Sequence, residues 1–182
     1  IDVECSEQID RFGLIFHAAE LQRQPTEANL ARTDLESILR SLAPGWSEQL
    51  KRRDIRLSLD LDRGLPTVMS DSHRLEAMLG GLIDRSSRGL PGGSELHLGL
   101  QAAGARVKLQ LHVVLPGSAT GPANASPARE ELGTVLSWDP TTGSLQLSQD
   151  ATRQMMASLG GRYQPRRDRD LTVFFPVQND AD

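Results

Sequence analysis

Apolar residues change their spacing along this chain, and the changes mark its elements. Over residues 5–24, Ile9, Phe12, Phe16 and Ala19 recur at intervals of three and four, a helical stripe of seam width. A stripe this short seldom stands alone and wants a partner helix, such as a second copy of itself. Pro25 stops it. Asp34 then caps a second helix, with Leu35, Ile38, Leu39, Leu42, Trp46 and Leu50 on one face. Pro44-Gly45 is expected to kink or interrupt that helix. "IRLSLDLD" (55–62) alternates strictly, as a half-buried strand does. "LPTVMSD" is a short extended piece ending in Asp71, the N-cap of a helix carrying Leu75, Met78, Leu79, Leu82 and Ile83.

Past the turn "PGG" (91–93), "ELHLGLQ" and "RVKLQLHVVL" both alternate across "AAGA", which predicts a hairpin. In "PGSATGPANASP" (116–127) every residue but Asn124 is Pro, Gly, Ser, Ala or Thr, so a mobile loop is expected. "LGTVLSWD" predicts a short strand. Residues 145–159 predict a helix with Leu147, Ala151, Met155 and Leu159 on one face, and "GGRYQPRRDRDLTVFFPV" a closing hairpin. The order predicts an α+β fold: a two-layer sandwich of a mixed, mostly antiparallel sheet with helices on one face, plus an N-terminal coiled-coil-like helix.

Composition narrows the function. The 182 residues suffice for one domain and an appended segment. At 38% hydrophobic and 24% charged the chain is globular, and 4% aromatic makes its core aliphatic. A formal charge of −4 argues against generic nucleic-acid or acidic-membrane binding. Cys5 is the lone cysteine, so no internal disulfide or Cys-rich metal site is expected. No apolar run approaches the ~20 residues of a membrane span. The start without Met and the polar "IDVECSEQ" suggest a fragment of a longer soluble or cytoplasmic-facing protein.

Four stretches carry a family resemblance: "SDSHRLEAMLGGLID", "LPGG", "MMASLGGRY" and "DLTVFFPV". In this order they resemble the C-terminal part of sensor histidine kinases. Asp71, Arg74, Leu75 and Leu79 fall where that family has them. The resemblance implies that residues 1–26 are the second helix of a dimerisation and phosphoacceptor hairpin. It makes 30–178 a catalytic, ATP-binding domain of the type shared with Hsp90-like and gyrase-like ATPases, 116–141 a lid-like loop, and 179–182 a tail.

The residues at the implied nucleotide site depart from the family. In the asparagine box, whose second asparagine ligates Mg²⁺, the two positions hold Gly81 and Arg85. A guanidinium has donors only and a fixed positive charge, so it repels a metal that needs oxygen ligands. In the first glycine box, Asp-x-Gly-x-Gly becomes Val113-Val114-Leu115-Pro116-Gly117, and only Gly117 is kept. The family's aspartate there accepts from the adenine amino group. The second glycine box, Gly-Leu-Gly-Leu at the mouth of the last helix, becomes Gln146-Leu147-Ser148-Gln149. Bare amides at such a helix N-terminus cradle phosphate. The lid's phenylalanine motif is also missing.

Other residues have plainer readings. Arg85 and Arg88 would suit a metal-free phosphate, but a solvated helix end complementing the dipole is the preferred reading. His17 sits on the seam helix. However, "HAAELQRQP" puts Pro25 eight positions on, where the family's acceptor has proline after five, so His17 is not taken as the phosphoacceptor. His73, His97 and His112 have no metal spacing and are expected as surface or strand-face residues. "RRDRD" (166–170) is expected as a solvated hairpin tip.

The resemblance and its departures together lead to a degenerate catalytic domain of a histidine kinase homologue. No cofactor is expected. The domain would be cytoplasmic, dimerise through Ile9, Phe12 and Phe16, and engage a response regulator or partner kinase, with no nucleic-acid or membrane contact. Two alternatives stand beside it. One is an active ATP-dependent autokinase using ATP and Mg²⁺, with Asp84 replacing the lost asparagine. The other is a phosphotransfer protein that makes no use of ATP.

Overall fold

The computed structural model describes residues 29–117, 130–131, 136–139, 144–147, 149–165 and 170–177. The element order is β1 (Ala31–Thr33), α1 (Leu35–Lys51), β2 (Arg56–Leu61), β3 (Val68–Ser70), α2 (Ser72–Ser87), β4 (Glu95–Ala102) and β5 (Arg106–Val114). There follow β6 (Glu130–Glu131), β7 (Leu136–Asp139), β8 (Ser144–Leu147), α3 (Gln149–Ser158), β9 (Arg162–Pro165) and β10 (Leu171–Pro176). The seam helix expected over 5–24, with Ile9, Phe12, Phe16 and His17, lies outside the described residues, as do Ser148 and the tail 179–182.

The main sheet has the order β2-β4-β5-β10-β9. Its single parallel pair is β2 with β4, and the other neighbours run antiparallel. Alternation decides which face is covered. Leu96, Leu98 and Leu100 of β4, Val107, Leu109 and Leu111 of β5, and Val173 and Phe175 of β10 all point to the helices and are buried. The stripes of α1 (Leu35, Ile38, Leu39, Trp46, Leu50) and α2 (Leu75, Met78, Leu79, Leu82, Ile83) close on them in one core. The fold is the expected α+β arrangement.

Both predicted caps form. The Asp34 carboxylate accepts from Ser37 N at 3.1 Å and the Asp71 carboxylate from Arg74 N at 3.1 Å. Each thereby satisfies a backbone donor that a helix start leaves free. The β4–β5 and β9–β10 hairpins also form.

The structure corrects two expectations. Pro44 does not interrupt α1, which runs from Leu35 to Lys51 as one helix. Burial on both sides of the proline, at Leu39 and Ala43 before it and Trp46 and Leu50 after it, outweighs the lost backbone bond. The last helix starts at Gln149, because Ser144–Leu147 is instead a strand, β8. The strand expected in "LGTVLSWD" forms as β7, which pairs with β6 and β8 in a three-stranded antiparallel sheet. His97 and His112 lie on exposed strand faces, as expected, and the β4–β5 register sets them opposite each other.

One small sheet had no counterpart in the sequence reading. β1 pairs with β3, and Thr33 Oγ1 donates to Ser70 O at 2.9 Å. Ser70 Oγ in turn donates to Leu159 O at 2.7 Å, tying this pair to the end of α3.

Candidate functional site

The last two turns of α2 carry the residues that the resemblance aligns with the asparagine box. Helical spacing splits their residues between two environments. Leu82 and Ile83 go into the core, beside Trp46, Leu98, Leu109 and Leu111. Those side chains leave a wholly apolar gap of about 10 Å³, which is a packing defect in the core rather than a ligand site. Gly81, Asp84, Arg85 and Arg88 lie on the remaining face and are half-buried.

Arg85 reaches back one turn over Gly81, as helical side chains do. A Cβ placed on Gly81 would sit 3.9 Å from Arg85 Nη2. The two positions that would carry asparagines are thus occupied by one side chain, folded across a residue that has none. Burial lowers the Arg85 pKa to about 10, with Arg88 adding to the effect and Asp84 opposing it. The group stays charged at neutral pH.

Asp84 is engaged through one carboxylate oxygen, Oδ2. It forms an ion pair with Arg88, which binds it through Nη2 and, at 3.1 Å, through Nε. The C-terminus of α2 is closed by a residue the sequence reading did not single out. Arg53 donates to Ser87 O at 2.7 Å and to Ser87 Oγ at 3.1 Å, joining the Leu90 N–H on a carbonyl that has no partner within the helix. No sequence pattern marks that contact, which spans 34 positions.

The first glycine box lies at the end of β5. Val113 has the parity of Leu109 and Leu111 and packs against the core. Its side chain has no acceptor to offer an amino group. Its N–H donates to Asp170 Oδ1 at 3.4 Å, and the same oxygen takes His112 Nδ1 at 2.6 Å. Asp170 is a second residue that sequence reasoning passed over as part of a charged tip. Leu115 is an exposed large hydrophobic. Gly117 keeps the left-handed backbone of a turn, with φ at +78°. The stretch aligned with the second glycine box differs from the expectation in backbone. Gln146 lies in β8, in register with Ser137, so this position is strand rather than a loop entering a helix.

Among the described residues, no group of three or more His, Cys, Asp or Glu side chains is arranged to hold a metal ion. No described helix is long and apolar enough to cross a membrane.

This arrangement of mixed sheet, capped α2 and late α3 is the fold of histidine kinase catalytic domains. The full-length ShkA structure in complex with AMPPNP matches at a TM-score of 0.64 and 22% identity, over 91% of this chain and 35% of that one. The histidine kinase ThkA in complex with the response regulator TrrA matches at 0.64 and 11%, over 97% of this chain and 49% of that one. No protein-family model matches the chain.

In sequence, the chain is 36% identical to the sensor histidine kinase Hik34 of Synechocystis over 185 aligned residues, 98% of this chain. It spans 38% of the length of that relative. The chain belongs to the sensor histidine kinase family, of which it carries the C-terminal ATPase-type domain.

Proposed function

We propose that this domain keeps the histidine kinase fold and has lost ordinary Mg-ATP binding, acting in two-component signalling as a pseudokinase module. One observation carries the reading: a guanidinium, Arg85, stands at the metal-ligating position and lies over Gly81. Mg²⁺ requires oxygen ligands and near-octahedral geometry. An arginine supplies neither, and its charge opposes the ion. Asp84, the substitute ligand an active autokinase would need, is ion-paired with Arg88. Val113 removes the acceptor for the adenine amino group, a charge-assisted bond worth roughly 1.5–3 kcal/mol. The residues present therefore do not fit ATP held through Mg²⁺.

In this reading the domain acts through contacts in the cytoplasm. It dimerises through the helix of residues 1–26 and engages a response regulator or a functional partner kinase. The complex of ThkA with its response regulator supports that class of partner.

The loss is distributed, and that gives the test. Arg85→Asn alone leaves Val113 and Gln146 in place, so it is expected not to restore binding of Mg-ATP in titration calorimetry. Micromolar binding by that single variant would refute the pseudokinase reading.

A further inference from the structure

The three arginines at the end of α2 are in different states. Arg53 is bonded to Ser87. Arg88 is held by Asp84. No hydrogen bond or ion pair engages the Arg85 guanidinium among the described residues. A half-buried cation without an acceptor is costly, because water has been removed and nothing replaces it. That condition differs from the solvated helix end expected from the sequence.

Two neighbours make the place tolerant of an anion. The Arg88 guanidinium on Asp84 offsets the charge of a neighbouring carboxylate that would otherwise repel it. Arg53 on the Ser87 carbonyl offsets the negative end of the helix dipole, which would otherwise disfavour negative charge here. The Arg85 fork lies over Gly81, with Nη2 3.9 Å from where a Cβ would stand.

We infer that Arg85 is a metal-independent contact for a phosphoryl oxyanion, taken directly by the guanidinium fork. A planar guanidinium matches two phosphate oxygens at once. Val113 provides nothing to read a base, so the polyphosphate alone is enough for binding. The inference rests on the proposed loss of the magnesium site and makes the opposite prediction about the metal. Mg²⁺ weakens the interaction, because it competes with the arginine for the same oxygens.

The test is calorimetry on the 182-residue chain with tripolyphosphate and with ATP, each in EDTA and then in excess Mg²⁺. Both ligands are expected to bind in EDTA and to weaken at least tenfold in Mg²⁺. Arg85→Gln is expected to weaken both at least tenfold, with Arg85→Lys retaining part of the binding. An unchanged thermal melt in both variants separates the effect from unfolding. Equal affinities identify free polyphosphate as sufficient; tighter ATP identifies a nucleotide source, and both agree with the inference. Absence of binding by either ligand at millimolar concentration overturns it and leaves the pseudokinase reading intact. Binding that Arg85→Gln leaves unchanged also overturns it. Binding that Mg²⁺ strengthens overturns both.

Discussion

Replacing Gly160 with alanine is expected to damage this domain far more than replacing Gly117, although both glycines have φ at +78°. The left-handed backbone costs an L-residue ~1–2 kcal/mol. At Gly117 a Cβ would meet nothing within 4 Å, so Gly117→Ala should cost that amount and no more. At Gly160 a Cβ would collide with the carbonyl oxygen of Met69 and lie 3.5 Å from its carbonyl carbon. The obstacle is backbone of β3, held by the β1 pairing and by Ser70 Oγ on Leu159 O. Overpacking of this kind adds typically ~1–3 kcal/mol.

Gly160 also closes α3. Its N–H donates to Ala157 O at 3.1 Å, and that of Gly161 donates to Met156 O at 2.8 Å, the Schellman pattern. The sum for Gly160→Ala is ~2–5 kcal/mol. Urea melts of the two variants, followed by circular dichroism, read the difference directly. Equal midpoints would refute the claim that the close approach to Met69, and not backbone conformation alone, fixes this residue.

Further outcomes follow from the caps and the seam. Stability should fall in acid as the caps protonate. Hydrogen bonds from Ser37 hold the Asp34 carboxyl below its ordinary 3.8, and the Arg74 N–H does the same for Asp71. The unfolded chain therefore takes up protons first. The contribution is complete above about pH 4 and is lost as pH falls below it toward the depressed native values. Asp34→Ala should cost about 1 kcal/mol at neutral pH and flatten that acid slope in pH-dependent melts. Phe12→Asp with Phe16→Asp should convert a dimer to a monomer in sedimentation, and an unchanged coefficient would refute the seam. Phe175→Ala, at a fully buried core position, should cost ~3–5 kcal/mol; a loss below ~1 kcal/mol would contradict the packing described.

Much of the fold was legible where one face of an element is buried and the other is wet. β4 and β5 alternate because one side chain in two meets the helices, and their burial follows that period. α2 could be read from its cap and its stripe together. The misses have physical causes. β1 is three residues long, too short for any period, and its place is fixed by Thr33 and Ser70, which are distant in sequence. β8 was read as helix because Leu147 fits the spacing of Ala151, Met155 and Leu159, whereas a strand partner in β7 decides its structure.

At the site, the replaced residues could be named from sequence, but their states could not. Arg85 and Arg88 look equivalent in a string of letters. The fold gives Arg88 a carboxylate partner and lays Arg85 across a glycine. The fold-bearing residues Asp71, Leu75, Leu79, Gly160 and Gly161 are the ones the family resemblance rested on. Each has a cap, a core position or a close approach to maintain. The positions that depart from the family's pattern at Gly81, Arg85 and Leu115 lie outside the buried core. Under the proposed pseudokinase reading, that separation explains how the fold persists while the site changes.

Titration of the wild-type chain with Mg-ATP at millimolar nucleotide tests the central claim most directly. The account predicts no binding heat and no thermal shift with the magnesium complex. Saturable binding that requires Mg²⁺ would contradict it, and would mean that another oxygen ligand holds the metal despite Arg85.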